Sequence, residues 1–554
     1  MYEEMKKLYG DVVNNGTRFI LVTGGVCSSI GKGVLISSLG TLLQNAGYKL
    51  SVIKCDPYLN VDPGTMSPLE HGEVFVTRDG AETDLDLGHY ERTLGVELSK
   101  DSSITAGKVF STLLQGERKG DYLGKCITVV PHVTNEIQKR IITFSQDKAV
   151  DVVLIEIGGT VGDIEAEIFL EAVRQLRAQI PHDQFAHCHL SFVPYLSWAD
   201  ETKTKPTQHS VMRLKQYGLT PDMLFLRTEK EIEDRERDKV AIMCGIAKDA
   251  VFQVLTHKPV YKLFFDLAGQ RAHELLQKKL GFPYHRDTDL SDWLTVIEKI
   301  EASAGKTVTI GLIAKYFGSN DPYMSLVKAL KSAGFSHGVT VDLKVINTDD
   351  IEESGVNLDQ VFAGLDGIVV PGGFGSRGVE GKIAATKWAR EKQMPFFGIC
   401  LGMQMMLVEA ARSLLGKEKA ASSEIDPETP DPIITMMDGQ QQVVSKGGTM
   451  RLGSYPCQLK KGSRAHTYYG ADHVEERHRH RYEFNSAYQA DLEAQGVIFS
   501  GVCPDNSLVE IVELKDHPFM MGVQFHPEYC SSPRKPHPLI GAFVGAVVEQ
   551  KGEV

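Results

Sequence analysis

Residues 394–404 read MPFFGICLGMQ, an apolar run that passes through Gly-Ile-Cys-Leu-Gly into a helical pattern. A strand that turns sharply into a helix at G-x-C-x-G is a nucleophile elbow, and it lifts one side chain, here Cys400, above the end of a parallel sheet. The turn also sets Cys400 at a helix N-terminus, where the backbone dipoles favour a thiolate. A lone cysteine in apolar surroundings is more often a core residue, so the neighbouring motifs decide between the two readings. FMMGVQFHPEY (519–529) places His526 and Glu528 just past a strand, as a base and the carboxylate that orients it. VVPGGFGSRG (369–378) ends another strand in glycines whose N–H groups, with that of Leu401, can approach a tetrahedral oxyanion.

Working outward, TVTIGLIAKY from Thr307 reads as a strand, PYMSLVKALKSAGF as a helix and VDLKVIN as the next strand. The same β-α-β opening occurs at RFILVTGG from Arg18, SSLGTLLQNAGY and KLSVIKCD. Two α/β units are therefore expected: an N-terminal extension over 1–17, a doubly wound domain over 18–285, a partly helical linker over 286–306, and a second α/β domain over 307–554. KEKAASSEIDPETPDP (417–432) reads as a surface loop of the second.

The chain has 554 residues, 42% hydrophobic and 24% charged, which excludes global disorder, and a formal charge of −12 argues against a nucleic-acid partner. Nine cysteines without a CxxC pair suggest neither a disulfide framework nor a zinc site. No apolar run approaches the ~20 residues of a membrane span, and the first residues lack the apolar core of a signal peptide, so a cytoplasmic, membrane-free location is expected.

GGVCSSIGKG (24–33) stands between a strand and a helix, where backbone N–H groups converge on phosphate and Lys32 adds a mobile charge. It resembles a P-loop but departs from G-x4-G-K-[ST]: Gly25 lies one residue too far from Gly31, and Gly33 replaces the hydroxyl that helps hold Mg²⁺. Asp86, in ETDLDLGHYER, and Glu156, in VDVVLIEIGGT, could supply the missing oxygens, or each could be a solvated carboxylate or helix cap. KTKPTQHS (203–210) suits a second polyanion or a solvated charged face.

PGGFG, GICLGMQ and HPE, in this order, resemble the class I glutamine amidotransferases, in which a cysteine attacks the glutamine amide and releases ammonia. KCDPYLNVDPGTMSPLEHGEVFVTRDGAETDLDLGHYER (54–92), GDYLGKCITVVPHVTNEI, EIGGTVGDIE and KTKPTQHS resemble the CTP synthases, and the two likenesses together span nearly the whole chain. The resemblance implies a P-loop-like synthetase domain joined to an amidotransferase domain. It implies conversion of UTP, ATP and glutamine to CTP through a 4-phosphorylated UTP, with CTP as feedback inhibitor, GTP as allosteric activator and a homotetramer built as a dimer of dimers.

Carried onto matching positions, the resemblance assigns Cys400, His526, Glu528 and Lys54 to catalysis. Ser29, Ile30, Gly31, Lys32, Gly33, Val34, Asp86 and Arg227 would bind ATP, and Asp86 and Glu156 would hold Mg²⁺. UTP or CTP would meet Ser28, Asp163, Ile164 and Glu165, the run Lys203, Thr204, Lys205, Pro206, Thr207 and Gln208, and Lys239. Gly372, Leu401, Gly402, Met403, Gln404, Glu424 and Arg481 would bind glutamine, while Pro68, His71 and Val74 would line an ammonia passage. HRHRYEF could alone suggest metal or anion binding, but the resemblance assigns its Arg481 to the glutamine carboxylate. Three features depart from the family: residues 1–17, Cys27 inside the phosphate loop, and the loop 417–442, expected to bear on the response to GTP.

Overall fold

A computed structural model describes residues 2–283, 286–316, 321–353, 355–437, 440, 447–505 and 507–552. Residues 438, 439, 441 and 442 of the loop singled out above lie outside these. The chain divides into two units: the residues up to Asp62 with His89–Ile297, and Pro63–Gly88 with those from Glu298 onward.

In the first unit α1 (Tyr2–Asn15) precedes β1 (Arg18–Gly24), then come α2 (Lys32–Asn45), β2 (Leu50–Asp56), β3 (Ser103–Thr105), β4 (Val152–Ile157), β5 (Phe185–Phe192), α3 (Lys205–Gln216), β6 (Met223–Thr228) and β7 (Val251–Leu255). The strands form one parallel sheet in the order β7-β6-β5-β1-β4-β2-β3. Both faces are covered by helices, which is why β2 and β4 are buried at every residue and read as continuous apolar runs. The chain leaves β1 for one side of the sheet and returns at β5 on the other, so the glycine loop after β1 lies at the switch point, where doubly wound sheets bind ligands.

Residues 1–17 hold α1, whose Met5 and Val12 are buried in the same core as Phe19 and Ile137. Tyr9 donates to Gln138 at 2.6 Å. Residues 286–306 contain the helix Ser291–Ala302, anchored by Trp293, fully buried with its ring 4.9 Å from those of Tyr261 and Phe264.

The second unit carries β8 (Thr307–Ala314), β9 (Thr340–Asn347), β10 (Gly367–Val370), α4 (Val379–Glu391), β11 (Phe396–Ile399), α5 (Leu401–Leu414), β12 (Arg451–Leu459), β13 (His473–His480), β14 (Val497–Val502), β15 (Val509–Leu514) and β16 (Met520–Val523). Its nine-stranded sheet runs β9-β8-β10-β11-β16-β15-β14-β12-β13, parallel from β9 to β16 and antiparallel beyond. Apolar cores lie on both faces. The segment 63–88 belongs to this unit: Glu73 accepts from the Ser325 N–H at 2.9 Å, Tyr529 donates to the Val74 carbonyl at 2.9 Å and Arg477 to that of Val76 at 3.1 Å. Among the described residues no helix is long and apolar enough to cross a membrane.

Candidate active site

β11 ends at Cys400, which adopts φ 52° and ψ −105° before α5 begins at Leu401. A residue with a Cβ pays ~1–3 kcal/mol to sit there, and only tight surroundings maintain it. Gly402 supplies that tightness: a Cβ at this position would stand 2.0 Å from the Val370 carbonyl oxygen, so glycine alone lets the first turn of α5 lie against β10.

Gln524 Nε2 approaches the Cys400 sulfur at 3.7 Å, and the Arg479 carbonyl lies 3.9 Å away. His526 follows β16 and its Nδ1 is 2.8 Å from Glu528 Oε1. Its ring stacks on Tyr529, with centroids 5.0 Å apart and planes at 15°. Burial disfavours the imidazolium, but Glu528 and Cys400 outweigh it and raise the His526 pKa to about 10, so the ring is protonated near neutral pH. Gly372 borders both groups: a Cβ there would meet His526 Cε1 at 2.9 Å and Cys400 Cβ at 3.6 Å.

Two cavities meet at Cys400. One, of about 390 Å³, is lined by Gln404, Glu424, His480 and Arg481 among others, a size within the ~300–1,000 Å³ of small-molecule sites. Gln404 donates to the Tyr482 carbonyl at 2.9 Å and to Gln524 at 3.2 Å, Glu424 accepts from the Gly375 N–H at 3.0 Å, and Arg481 donates to Gln440 at 2.5 Å and Thr449 at 2.7 Å. Met403 is buried at the start of α5. The other cavity, of about 70 Å³, is bounded by Pro68, Glu73 and Val74 as well as Cys400 and His526. His71 stands apart from its lining, with Nε2 3.4 Å from Asp84. Lys315 reaches the carbonyls of Phe374 and Gly375; burial, opposed by Glu424, lowers its pKa to about 8.

In the first unit the loop after β1 turns through Ser29 (φ 55°) and Gly31 (φ 101°) into α2. Ser28 and Ser29 are exposed, Ile30 is buried, and Gly33 and Val34 are half-buried. Lys32 Nζ donates to the Gly159 carbonyl at 2.7 Å, tying this loop to the one after β4, and Arg227 flanks Gly31. Lys54 and Glu156 are register partners on β2 and β4, both buried, with Nζ 2.8 Å from Oε1; Tyr90 donates to Oε2 at 2.6 Å and Asp56 lies 3.9 Å from Nζ.

Asp163 accepts from the Thr160 N–H at 2.9 Å, while Ile164, Glu165, Lys205 and Lys239 are exposed. Lys203 pairs with Glu201. Thr204 accepts from Gln208, and Thr207 from Ser191, at the start of α3, whose first turn includes Pro206. Asp86 lies in the helix Leu85–Leu94, within the 63–88 segment of the second unit, its N–H bonded to Asp84 at 3.0 Å.

Asp86 belongs to the second unit and Glu156 to the first, and each carboxylate is by its chemistry a hard oxygen donor of the kind Mg²⁺ takes, one or two at a time with phosphate and water completing the shell. Among the described residues no cluster of three or more His, Cys, Asp or Glu could hold a metal unaided. Asp56, Tyr90 and Gln524 join these sites without having been singled out in the sequence. Asp56 and Gln524 each stand two residues from an expected residue at a strand end, which was the available signal; Tyr90 had none.

A cysteine on a strained elbow, a His–Glu pair and a glycine-rich strand end make the second unit an amidotransferase of the cysteine type. Residues 320–546 match the family model described as glutamine amidotransferase class-I, and residues 18–282 match the model described as CTP synthase N-terminus. A CTP synthase of Clostridium acetobutylicum is 50% identical over 528 residues, covering 95% of this chain and 98% of that protein. One of Clostridium kluyveri is 49% identical over 535 residues, 97% and 99%. The glutaminase domain of a Trypanosoma brucei CTPS, a solved structure, is 35% identical with a TM-score of 0.41, covering 44% of this chain and 94% of that one. The chain belongs to the CTP synthase family, the glutamine-hydrolysing ligases whose reaction is glutamine-dependent synthesis of CTP from UTP.

Proposed function

We propose that this chain aminates UTP to CTP at the expense of ATP, with ammonia released from glutamine at Cys400. The observation that supports this best is the strained Cys400 beside a His526 kept protonated by Glu528. In this reading the sulfur attacks the glutamine amide, His526 gives its proton to the departing ammonia, and water then releases glutamate from the thioester. Gly372 and Leu401 offer N–H groups to the oxyanion. Gly402, Met403, Gln404, Glu424 and Arg481 hold the substrate, and ammonia leaves past Pro68, His71 and Val74.

In the synthetase domain, taken as 18–285 and joined through 286–306 to an amidotransferase domain over 307–554, ATP phosphorylates the uracil O4, ammonia attacks C4 and phosphate departs. Residues 29–34 and Arg227 grip ATP. Lys54 neutralises charge as the phosphoryl group moves, because such transfer is mainly positioning and electrostatics. Asp86 and Glu156 would each offer a carboxylate to Mg²⁺, which would supply further charge neutralisation. Ser28, residues 163–165 and 203–208, and Lys239 bind UTP, and CTP as inhibitor. GTP activates glutamine hydrolysis, the active assembly is a homotetramer, and the nine thiols fit the cytoplasm.

The test is an absorbance assay for CTP with UTP, ATP and Mg²⁺, given glutamine or ammonium as nitrogen source. CTP from both is expected; ATP turnover without CTP from either rejects the reading.

A further inference from the structure

Lys382 on α4 has no exposed surface. Its Nζ donates to the Pro371 carbonyl at 2.9 Å and to the Ile313 carbonyl at 3.3 Å, and among the described residues no carboxylate pairs with it. An ammonium buried without a counter-ion is costly. Burial, aided by Lys315 and opposed by Cys400, lowers its pKa to about 7, and the neutral amine has two N–H donors for its two carbonyls. An apolar chain of the same length would fill the space without that cost, so what distinguishes lysine here is its grip on the carbonyls at the ends of β8 and β10.

Pro371 is the first residue after β10, and its carbonyl shares a rigid plane with the Gly372 N–H, which points the opposite way. Gly372 is the residue in contact range of both Cys400 and His526. We propose that Lys382 is a positioning residue that locks the Pro371–Gly372 peptide, so that the Gly372 N–H is presented to the oxyanion formed at Cys400. The proposal rests on the glutaminase reading of this site. Without the lysine the peptide is free to rotate, and a carbonyl turned towards the sulfur repels the charge that the N–H would stabilise.

Lys382→Met keeps the length and removes the donor. Losing an oxyanion donor costs ~10²–10³ in kcat, and misorienting one costs less, so glutaminase kcat is expected to fall ~30-fold with the KM for glutamine within about threefold of wild type. Alkylation by iodoacetamide forms no oxyanion. Its rate at Cys400, followed by mass spectrometry of the Cys400 peptide, is therefore expected to stay within about threefold, whereas general loosening of the elbow would slow both reactions alike. A fall in kcat of less than about fivefold, a rise in KM that accounts for the loss, or an alkylation rate reduced by the same factor as kcat overturns the proposal. If Lys382→Met does not yield folded protein, Lys382→Gln, too short to reach Pro371, is read by the same criteria. Retention of glutaminase activity by Cys400→Ala would instead overturn the underlying reading of the site.

Discussion

Lys54 and Glu156 form a buried ion pair whose members are 102 residues apart in the chain. Removing one partner strands the other charge in the core, so Lys54→Met is expected to lower unfolding stability by ~3–5 kcal/mol, and Lys54→Met with Glu156→Gln to recover most of it, as read by urea denaturation. Both proteins should fail to make CTP from either nitrogen source. His526 gives the opposite pH signature to an acid. Its folded pKa, about 10, lies above the ordinary imidazole value, so its contribution to stability is complete below pH ~6.5 and is lost as pH rises through 10. In Glu528→Gln the largest opposing charge is gone and burial pulls the ring pKa down by ~1–3 units, a shift that an NMR titration of the His526 ring measures directly; glutaminase activity should fall with it.

At the scale of elements, the contiguous motifs were legible and the assembled ones were not. G-x-C-x-G announced β11, the elbow and α5 because they follow one another without a break from Phe396 to Leu414, and β1 and α2 were readable because only a short loop separates them. In residues 1–17 the helical spacing of Met5, Leu8, Tyr9 and Val12 was the signal that α1 packs on the core, and a division that starts at the first strand passes over it. Lys382 and Tyr90 could not be picked out, since their roles come from strands and loops that meet only in the folded sheet. Segment 63–88 was equally opaque: its ladder pairs only Phe75–Val76 with Glu82–Thr83, too short for periodicity to register. The elbow also sets a sharp steric test. Gly402→Ala must move α5 away from Val370, and displacement of a nucleophile by ~1 Å costs ~100-fold, so steady-state glutaminase activity should drop by about that factor while ammonia-dependent synthesis is retained.

Across the whole molecule the acidic balance of the sequence argues against a nucleic-acid partner but hides local cationic sites such as Lys32, Lys54 and Lys203. Two chemistries share one chain, and they should separate cleanly by mutation. Cys400→Ala is expected to abolish CTP formation from glutamine and to leave formation from added ammonium within about twofold of wild type, in parallel assays of one preparation. Loss of both would mean that the cysteine also serves the synthetase reaction. The membership of residues 63–88 in the second unit bears on how the protein can be cut. A recombinant fragment started at the sequence boundary near residue 300 would leave behind a stretch encoded some 220 codons upstream. Arg477, Arg479, Ser325 and Tyr529 would then face solvent with their acceptors missing. Grafting that stretch back through a new linker would return those acceptors to the fragment.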